Sequence, residues 1–174
     1  MSIPPAQVAD TQSALSAEAV VSLLAKRGYT HLVWLPDSES AALFTYLQRS
    51  RALTLVQVCR EGEAFGVAAG LIAAGARPVV VIQSTGFFES GDSLRGLALW
   101  LRLPLPVLIG YRGWNAEGRS RDSAAWYLEP ILQAWKIPYR FVHSSADISV
   151  LHEVIDQAEQ AFTPSAALIT AEWR

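Results

Sequence analysis

Two carboxylates, Glu61 and Glu63, open a segment with helical spacing that runs to Ala74 and follows a strand-like run from Leu53 to Val58. Carboxylates in the first turn of a helix sit at the positive end of its dipole and are stabilised there, which alone accounts for both. The segment behind them is less ordinary. Gly66, Ala68, Ala69, Gly70, Ala73 and Ala74 give it a smooth surface, and small side chains let a second backbone or a flat ligand come close. Glu63 lies two residues beyond Glu61, about 200° further around the helix, so the two carboxylates face different surroundings.

Other polar groups stand where strands are expected to end. Asp37 follows the first strand in Pro36-Asp37-Ser38-Glu39, and either Asp37 or Ser38 can cap the next helix. Gln83-Ser84-Thr85-Gly86 follows another strand, and its hydroxyls can cap a turn. Arg112, in Tyr111-Arg112-Gly113-Trp114, suits an acidic head group, an acidic partner surface or plain solvation. Cys59 reads as a small buried residue rather than a nucleophile. His31 reads as structural, and His143 and His152 have no third ligand at a metal-binding spacing. Trp34, Trp100, Trp126 and Trp135 fit apolar positions at a core or interface. Trp114, in a polar loop, is the tryptophan placed to touch a substrate or partner.

The elements that hold these residues are legible as an alternation. Helical patterns cover Ser16 to Arg27, Ser40 to Arg49, Glu61 to Ala74, Ser93 to Leu101, Ala124 to Trp135 and Asp147 to Ala161. Between them, His31 to Leu35, Leu53 to Val58, Pro78 to Ile82, Pro106 to Tyr111, Tyr139 to Val142 and Ala166 to Thr170 read as strands. Gln83 to Glu89 and Arg112 to Asp122 read as loops. The alternation predicts a single doubly wound α/β domain over residues 15–174, after a loose lead-in over residues 1–14. Its sheet is mainly parallel, of about six strands, with helices on both faces. Ligands of such sheets bind beyond the carboxyl ends of the strands, where Asp37, Glu61, Gln83 and Arg112 all fall.

The composition of the 174 residues narrows the function. Hydrophobic residues make up 51% and charged residues 17%, the reverse of a disordered chain. A net charge of −2 leaves no basic excess for nucleic acid. A single cysteine excludes an internal disulfide and fits a reducing, cytoplasmic setting. No apolar run is long enough to span a bilayer. A mean hydropathy of +0.23 is high for a lone domain and points to surface buried against another chain.

The run Arg60-Glu61-Gly62-Glu63-Ala64-Phe65-Gly66-Val67-Ala68-Ala69-Gly70 resembles the helix motif in the pyrimidine-binding (PYR) domain of thiamine diphosphate enzymes. Gln83-Ser84-Thr85-Gly86 is similar to their Gln-Asn/Ser-Ser-Gly loop. The run from Pro104 to Gly113 resembles an Ile-Pro-Leu strand ending in Trp-Arg-Gly, and Ile137-Pro138-Tyr139 matches an Ile-Pro-Tyr. These pieces keep order and spacing over roughly residues 16 to 170, and together resemble the sulfopyruvate and phosphonopyruvate decarboxylases. The resemblance implies decarboxylation of a small 2-oxo acid with thiamine diphosphate and Mg2+. Glu61, nine residues before Gly70, takes the place of the glutamate that hydrogen-bonds the pyrimidine N1′ and favours its imino tautomer. The resemblance further implies that Gln83, Ser84, Thr85, Gly86 and Phe87 wall the cofactor. Asp37 would assist proton transfer near the substrate, and Arg112 would meet its acidic head group.

Departures from the pattern leave the 2-oxo acid open. Phe87-Phe88-Glu89 stands where Leu-Gly-Asn is usual, and Glu89 puts negative charge where a sulfonate or phosphonate would approach. The stretch from Asn115 to Ser123 lacks the histidine expected of sulfopyruvate enzymes, and the Gln83 loop lacks the paired histidines of pyruvate decarboxylases. The half that binds Mg2+ and the diphosphate is also missing. Gly91-Asp92-Ser93 with Asn115 imitates its Gly-Asp-Gly…Asn motif, but the third residue is Ser and no apolar strand precedes it. The resemblance therefore implies a separate diphosphate-binding (PP-domain) subunit, a hetro-oligomer, and no metal ligand on this chain. A non-catalytic PYR-like partner subunit is the alternative. A nucleotide- or flavin-binding domain would need a glycine-rich phosphate loop, and Pro36-Asp37-Ser38-Glu39 has no glycine and two acids.

Overall fold

A computed structural model describes residues 14–115 and 122–174. The lead-in expected over residues 1–14, apart from residue 14, and the middle of the Arg112 to Asp122 loop lie outside the described residues. The first half runs α1 (Ala17–Lys26), β1 (His31–Trp34), α2 (Ala41–Ser50), β2 (Thr54–Gln57), α3 (Glu61–Ala73) and β3 (Pro78–Gln83). It continues through α4 (Ser84–Glu89), α5 (Gly91–Ser93), a π-helical stretch (Leu94–Leu99) and β4 (Pro106–Gly110). The chain ends with α6 (Ala124–Ala134), β5 (Tyr139–Val142), a 3-10 turn (Ser145–Asp147), α7 (Val150–Ala161) and β6 (Ser165–Ile169).

The six strands form one sheet in the order β2-β1-β3-β4-β6-β5, with every pairing parallel. Parallel neighbours need crossover connections, and the helices supply them on both faces. Successive side chains of a strand point to opposite faces. Leu32, Trp34, Val79 and Val81 pack in a core with Val20, Leu24, Leu43 and Val154 of α1, α2 and α7. Val33, Val80 and Ile82 pack in the other core with Phe65, Phe87 and Leu128 of α3, α4 and α6. Central strands buried on both faces read as unbroken apolar runs, which is why Pro78 to Ile82 was recognisable. Phe65 and Phe87 are among the largest fully or almost fully buried side chains, each worth about 2 kcal/mol of transfer free energy.

The chain steps outward from β1 to β2, then crosses back to β3 on the other side of β1. That reversal opens a crevice at the carboxyl ends of β1 and β3, where ligands of doubly wound sheets bind.

One element differs from the sequence reading. Gln83 is the last residue of β3, and the expected loop up to Glu89 is helical from Ser84. Ser90, which joins α4 to α5, is itself right-handed helical (φ −76°, ψ −1°). Its N–H donates to the Gly86 carbonyl and its own carbonyl accepts from Leu94, both at 2.9 Å. The rod then widens into a π turn, where Trp100 N–H reaches the Arg95 carbonyl at 3.1 Å. Ser, Thr and Gly are weak helix formers, so local preference argued for a loop. Burial of Ser84, Gly86 and Phe87 against the neighbouring layers overrides it.

Candidate active site at the carboxyl edge of the sheet

Glu61 is the first residue of α3 and is half-buried. Its carboxyl lies against Gly86, the third residue of α4. A Cβ on Gly86 would stand 2.6 Å from Glu61 Cδ, so only glycine admits the carboxyl in this place. Ser84, two residues earlier, is fully buried, and its Oγ hydrogen-bonds nothing among the described residues. A buried hydroxyl without a partner costs free energy. Thr85 Oγ1 donates to Gln83 Oε1 at 3.3 Å. Phe87 is buried beneath this edge, in tilted contact with Trp135 at 5.9 Å between ring centroids.

The neighbouring acids have other tasks. Glu63 turns back to cap its own helix, its Oε2 accepting from the backbone N–H of Cys59 at 2.9 Å and of Arg60 at 3.2 Å. Glu89 accepts from the Gly62 N–H at 2.8 Å and pairs with the Arg60 guanidinium, whose Nε lies at 2.9 Å. The Gly62 N–H first, and Arg60 second, hold the Glu89 carboxyl below the usual carboxylate range. Its charge is thus matched by Arg60 and by the start of α3. Cys59 is exposed, not buried as expected, because the chain turns outward between β2 and α3.

Asp37 Oδ1 accepts from the Ser40 N–H at 2.8 Å, so it holds the turn that leads into α2, whose own N-cap Ser40 makes no side-chain cap bond. Ser40 Oγ in turn accepts from Trp34 Nε1 at 2.6 Å. Asp37→Ala is expected to lower stability by about 1 kcal/mol, the usual net worth of one such hydrogen bond, as read by urea denaturation.

The acid that the sequence reading did not single out is Glu39. The residue is exposed overall, but its Oε2 stands 3.2 Å from where a Cβ on Gly110 would be. Partial desolvation first, and Asp37 next, raise the Glu39 carboxyl above the usual range; Arg112 opposes this and Asp122 adds to it. Glu39 borders a cleft of about 440 Å3 at the carboxyl ends of β4 and β6, together with Arg112, Trp114, Thr170, Glu172 and Trp173. Arg112 Nε pairs with Asp122 Oδ2 at 3.1 Å. Trp114 leans on the His143 ring at 5.0 Å, and His143 Nδ1 shares a 2.7 Å hydrogen bond with Thr170 Oγ1. A narrower space bordered by Asp37, Glu39, Gln83, Gly110 and Trp173 lies where β3 meets β4. The cleft and the Glu61 region therefore share one edge of the sheet.

Of the residues singled out from sequence, Glu61, Ser84 and Gly86 gather at the junction of α3 and α4, with Gln83, Thr85 and Phe87 in the same segment. Asp37 and Arg112 lie further along the edge, beside Glu39. The only sequence signal for Glu39 was its place in the loop after β1. Among the described residues, no group of three His, Cys, Asp or Glu side chains could hold a metal ion, and no helix is long and apolar enough to cross a membrane.

Comparison with known proteins places these features in a context. The sequence model of the family described as "Thiamine pyrophosphate enzyme, N-terminal TPP binding domain" matches residues 16–113, more than half of the chain. A protein named sulfopyruvate decarboxylase from Methanosarcina acetivorans is 27% identical over 154 residues, covering 88% of this chain and 39% of that relative. A sulfopyruvate decarboxylase subunit alpha from Methanothermobacter thermautotrophicus is 28% identical over 140 residues, covering 76% of this chain and 81% of the subunit. Another, from Methanococcus maripaludis, is 23% identical over 125 residues, covering 71% and 75%. The chain thus spans less than half of the first relative and most of the two alpha subunits.

Proposed function

Because the chain belongs to the thiamine pyrophosphate enzymes through their N-terminal TPP-binding domain, we propose that it is the pyrimidine-binding subunit of a two-chain, thiamine diphosphate-dependent 2-oxo acid decarboxylase. The observation that carries this reading is the Glu61 carboxyl seated on Gly86 at the carboxyl edge of a parallel sheet. The residues present suit the cofactor. Glu61 offers a carboxyl at a helix start, Gly86 leaves a side-chain-free surface, and Ser84 Oγ is a buried polar atom without a partner among the described residues. Thiamine diphosphate, when bound, supplies the carbon nucleophile and the electron sink that 2-oxo acid decarboxylation requires.

This chain's residues have simpler tasks. Glu61 would hydrogen-bond the pyrimidine ring nitrogen through its carboxyl, a general acid–base role. Ser84 and Thr85 would help to place the ring, with Gln83 fixing Thr85. Gly86 and Phe87 shape the wall and exclude water. Asp37, by holding the loop after β1, sets where Glu39 and Arg112 meet the substrate.

The partner is a separate PP-domain subunit that holds the diphosphate and Mg2+. Three observations support a hetero-oligomer. Two of the relatives are named as alpha subunits, and a longer relative is more than twice the length matched here. Trp100, Leu101, Trp126 and Tyr127 are also exposed, at 80%, 54%, 57% and 57%, as interface aromatics and aliphatics often are.

The test is carbon dioxide release from a panel of 2-oxo acids by the complex purified from its own cells, with thiamine diphosphate and Mg2+ added. The complex is expected to turn over at least one of them, and this chain alone none. A complex inert toward the whole panel, with no cofactor retained, would leave the chain as a non-catalytic PYR-like partner.

A further inference from the structure

Glu61 sits between two residues that a single side chain holds. Glu89, the last residue of α4, reaches across to the start of α3. Its Oε2 accepts from the Gly62 N–H at 2.8 Å, and its Oε1 accepts from Arg60 Nε at 2.9 Å and from Arg60 Nη2. The residues directly before and after Glu61 are thus tied to one carboxylate. The first N–H groups of a helix have no partner within it, so the Gly62 N–H needs an acceptor from outside α3. The helix dipole favours a carboxylate in that place. The approach is close because Gly62 has no side chain. A Cβ there would stand 3.4 Å from Glu89 Oε2 and 3.2 Å from Ser93 Oγ. Glu63, by contrast, bonds the N–H groups of Cys59 and Arg60 from within α3 itself, which does not fix α3 against α4.

We propose that Glu89 is a positioning residue: by joining the start of α3 to α4 through Gly62 and Arg60, it keeps the Glu61 carboxyl on its seat at Gly86. The proposal rests on the decarboxylase reading and adds a residue to the same site. Gly86 and Glu89 are three residues apart in α4, so they share one side of the helix. One turn of α4 therefore leaves the space for the Glu61 carboxyl and also grips the backbone beside it. A shift of the first turn of α3 would carry the carboxyl off Gly86, and a misplacement of about 1 Å is enough to cost a reacting group much of its rate. Of the two contacts that Glu89 makes, the bond to Gly62 is the one that fixes the backbone. The Arg60 side chain is 73% exposed, and an exposed ion pair of this kind holds little. Glu89 thus acts through Glu61 and takes no part in the chemistry itself.

Exchange of the Gly62 amide with solvent deuterium, followed in the purified complex, tests the contact itself. It is expected to be at least about tenfold faster in Glu89→Ala and near the unaltered rate in Glu89→Gln, whose amide oxygen still accepts from Gly62. Single-turnover decarboxylation by the cofactor-loaded complex tests what the contact is for. Glu89→Ala is expected to slow it about fivefold, while Glu89→Gln stays within about twofold of the unaltered complex. Added to Glu61→Gln, Glu89→Ala should cost less than about twofold, because the group that it positions is already gone. A side chain that only supported the fold would cost the same in both backgrounds. Unchanged Gly62 exchange in Glu89→Ala, an unchanged rate, or an equal loss on top of Glu61→Gln overturns the proposal and leaves the decarboxylase reading intact. An unaltered complex that releases no carbon dioxide from any 2-oxo acid overturns that reading, and the exchange measurement still decides whether Glu89 holds the start of α3.

Discussion

Glu61→Gln in the assembled complex is expected to lower the rate of decarboxylation by two to four orders of magnitude, about the contribution of a positioned acid–base group. The substitution keeps the length and shape of the side chain and its acceptor oxygen, so it still fits against Gly86. It removes the ionisable carboxyl, and an amide cannot exchange a proton with a ring nitrogen in the same way. The folded state should barely notice, since a first-turn carboxylate contributes about 0.5 kcal/mol through the helix dipole. Single-turnover decay of a 2-oxo acid on the variant complex, with thermal unfolding and subunit composition measured alongside, separates these effects. A rate within a few-fold of the unaltered complex would remove Glu61 from the chemistry.

Gly86→Ala carries the next largest expected effect, and it changes no ionisable group. The added methyl would occupy a point 2.6 Å from Glu61 Cδ, well inside van der Waals contact, so the carboxyl must swing away. In a helix the same exchange normally stabilises by about 1 kcal/mol. The two tendencies have different readouts. Turnover is expected to fall by at least about tenfold, because a displaced catalytic group loses its alignment. The melting temperature should change little, since the helical gain offsets the strain. Cofactor affinity, followed by quenching of intrinsic fluorescence, should weaken with the turnover. Unchanged turnover in Gly86→Ala would mean that the seat on Gly86 has no part in placing Glu61.

How far these features were readable beforehand differs from element to element. The strands at Tyr139–Val142 and near Pro106, and the helix starting at Glu61, follow from apolar runs and breakers whose signals are local. The all-parallel sheet follows from their alternation. The rod from Ser84 was not readable, because its helicity depends on burial of Ser84, Gly86 and Phe87 against other layers, and its π turn leaves no compositional trace. The seat of Glu61 on Gly86 joins residues 25 positions apart. Likewise, the pairing of Glu89 with Arg60 spans 29 positions, and no single-sequence pattern encodes such distances. Glu39 was overlooked because Asp37 has the stronger local signal as a helix cap, although Asp37 instead holds the turn before α2 by accepting from the Ser40 N–H. The family motif pointed to Glu61 through its spacing from Gly70, a pattern that survives where the contacts themselves are invisible.

The central claim, that Glu61 works on a thiamine cofactor held between this chain and a second one, is tested most directly by native mass spectrometry of the protein purified from its own cells. The account predicts an assembly with a second, different chain, and a mass increment on it that matches thiamine diphosphate with Mg2+. A lone chain or a self-assembly carrying no cofactor would contradict it and return Glu61 to the role of a charge at a helix end.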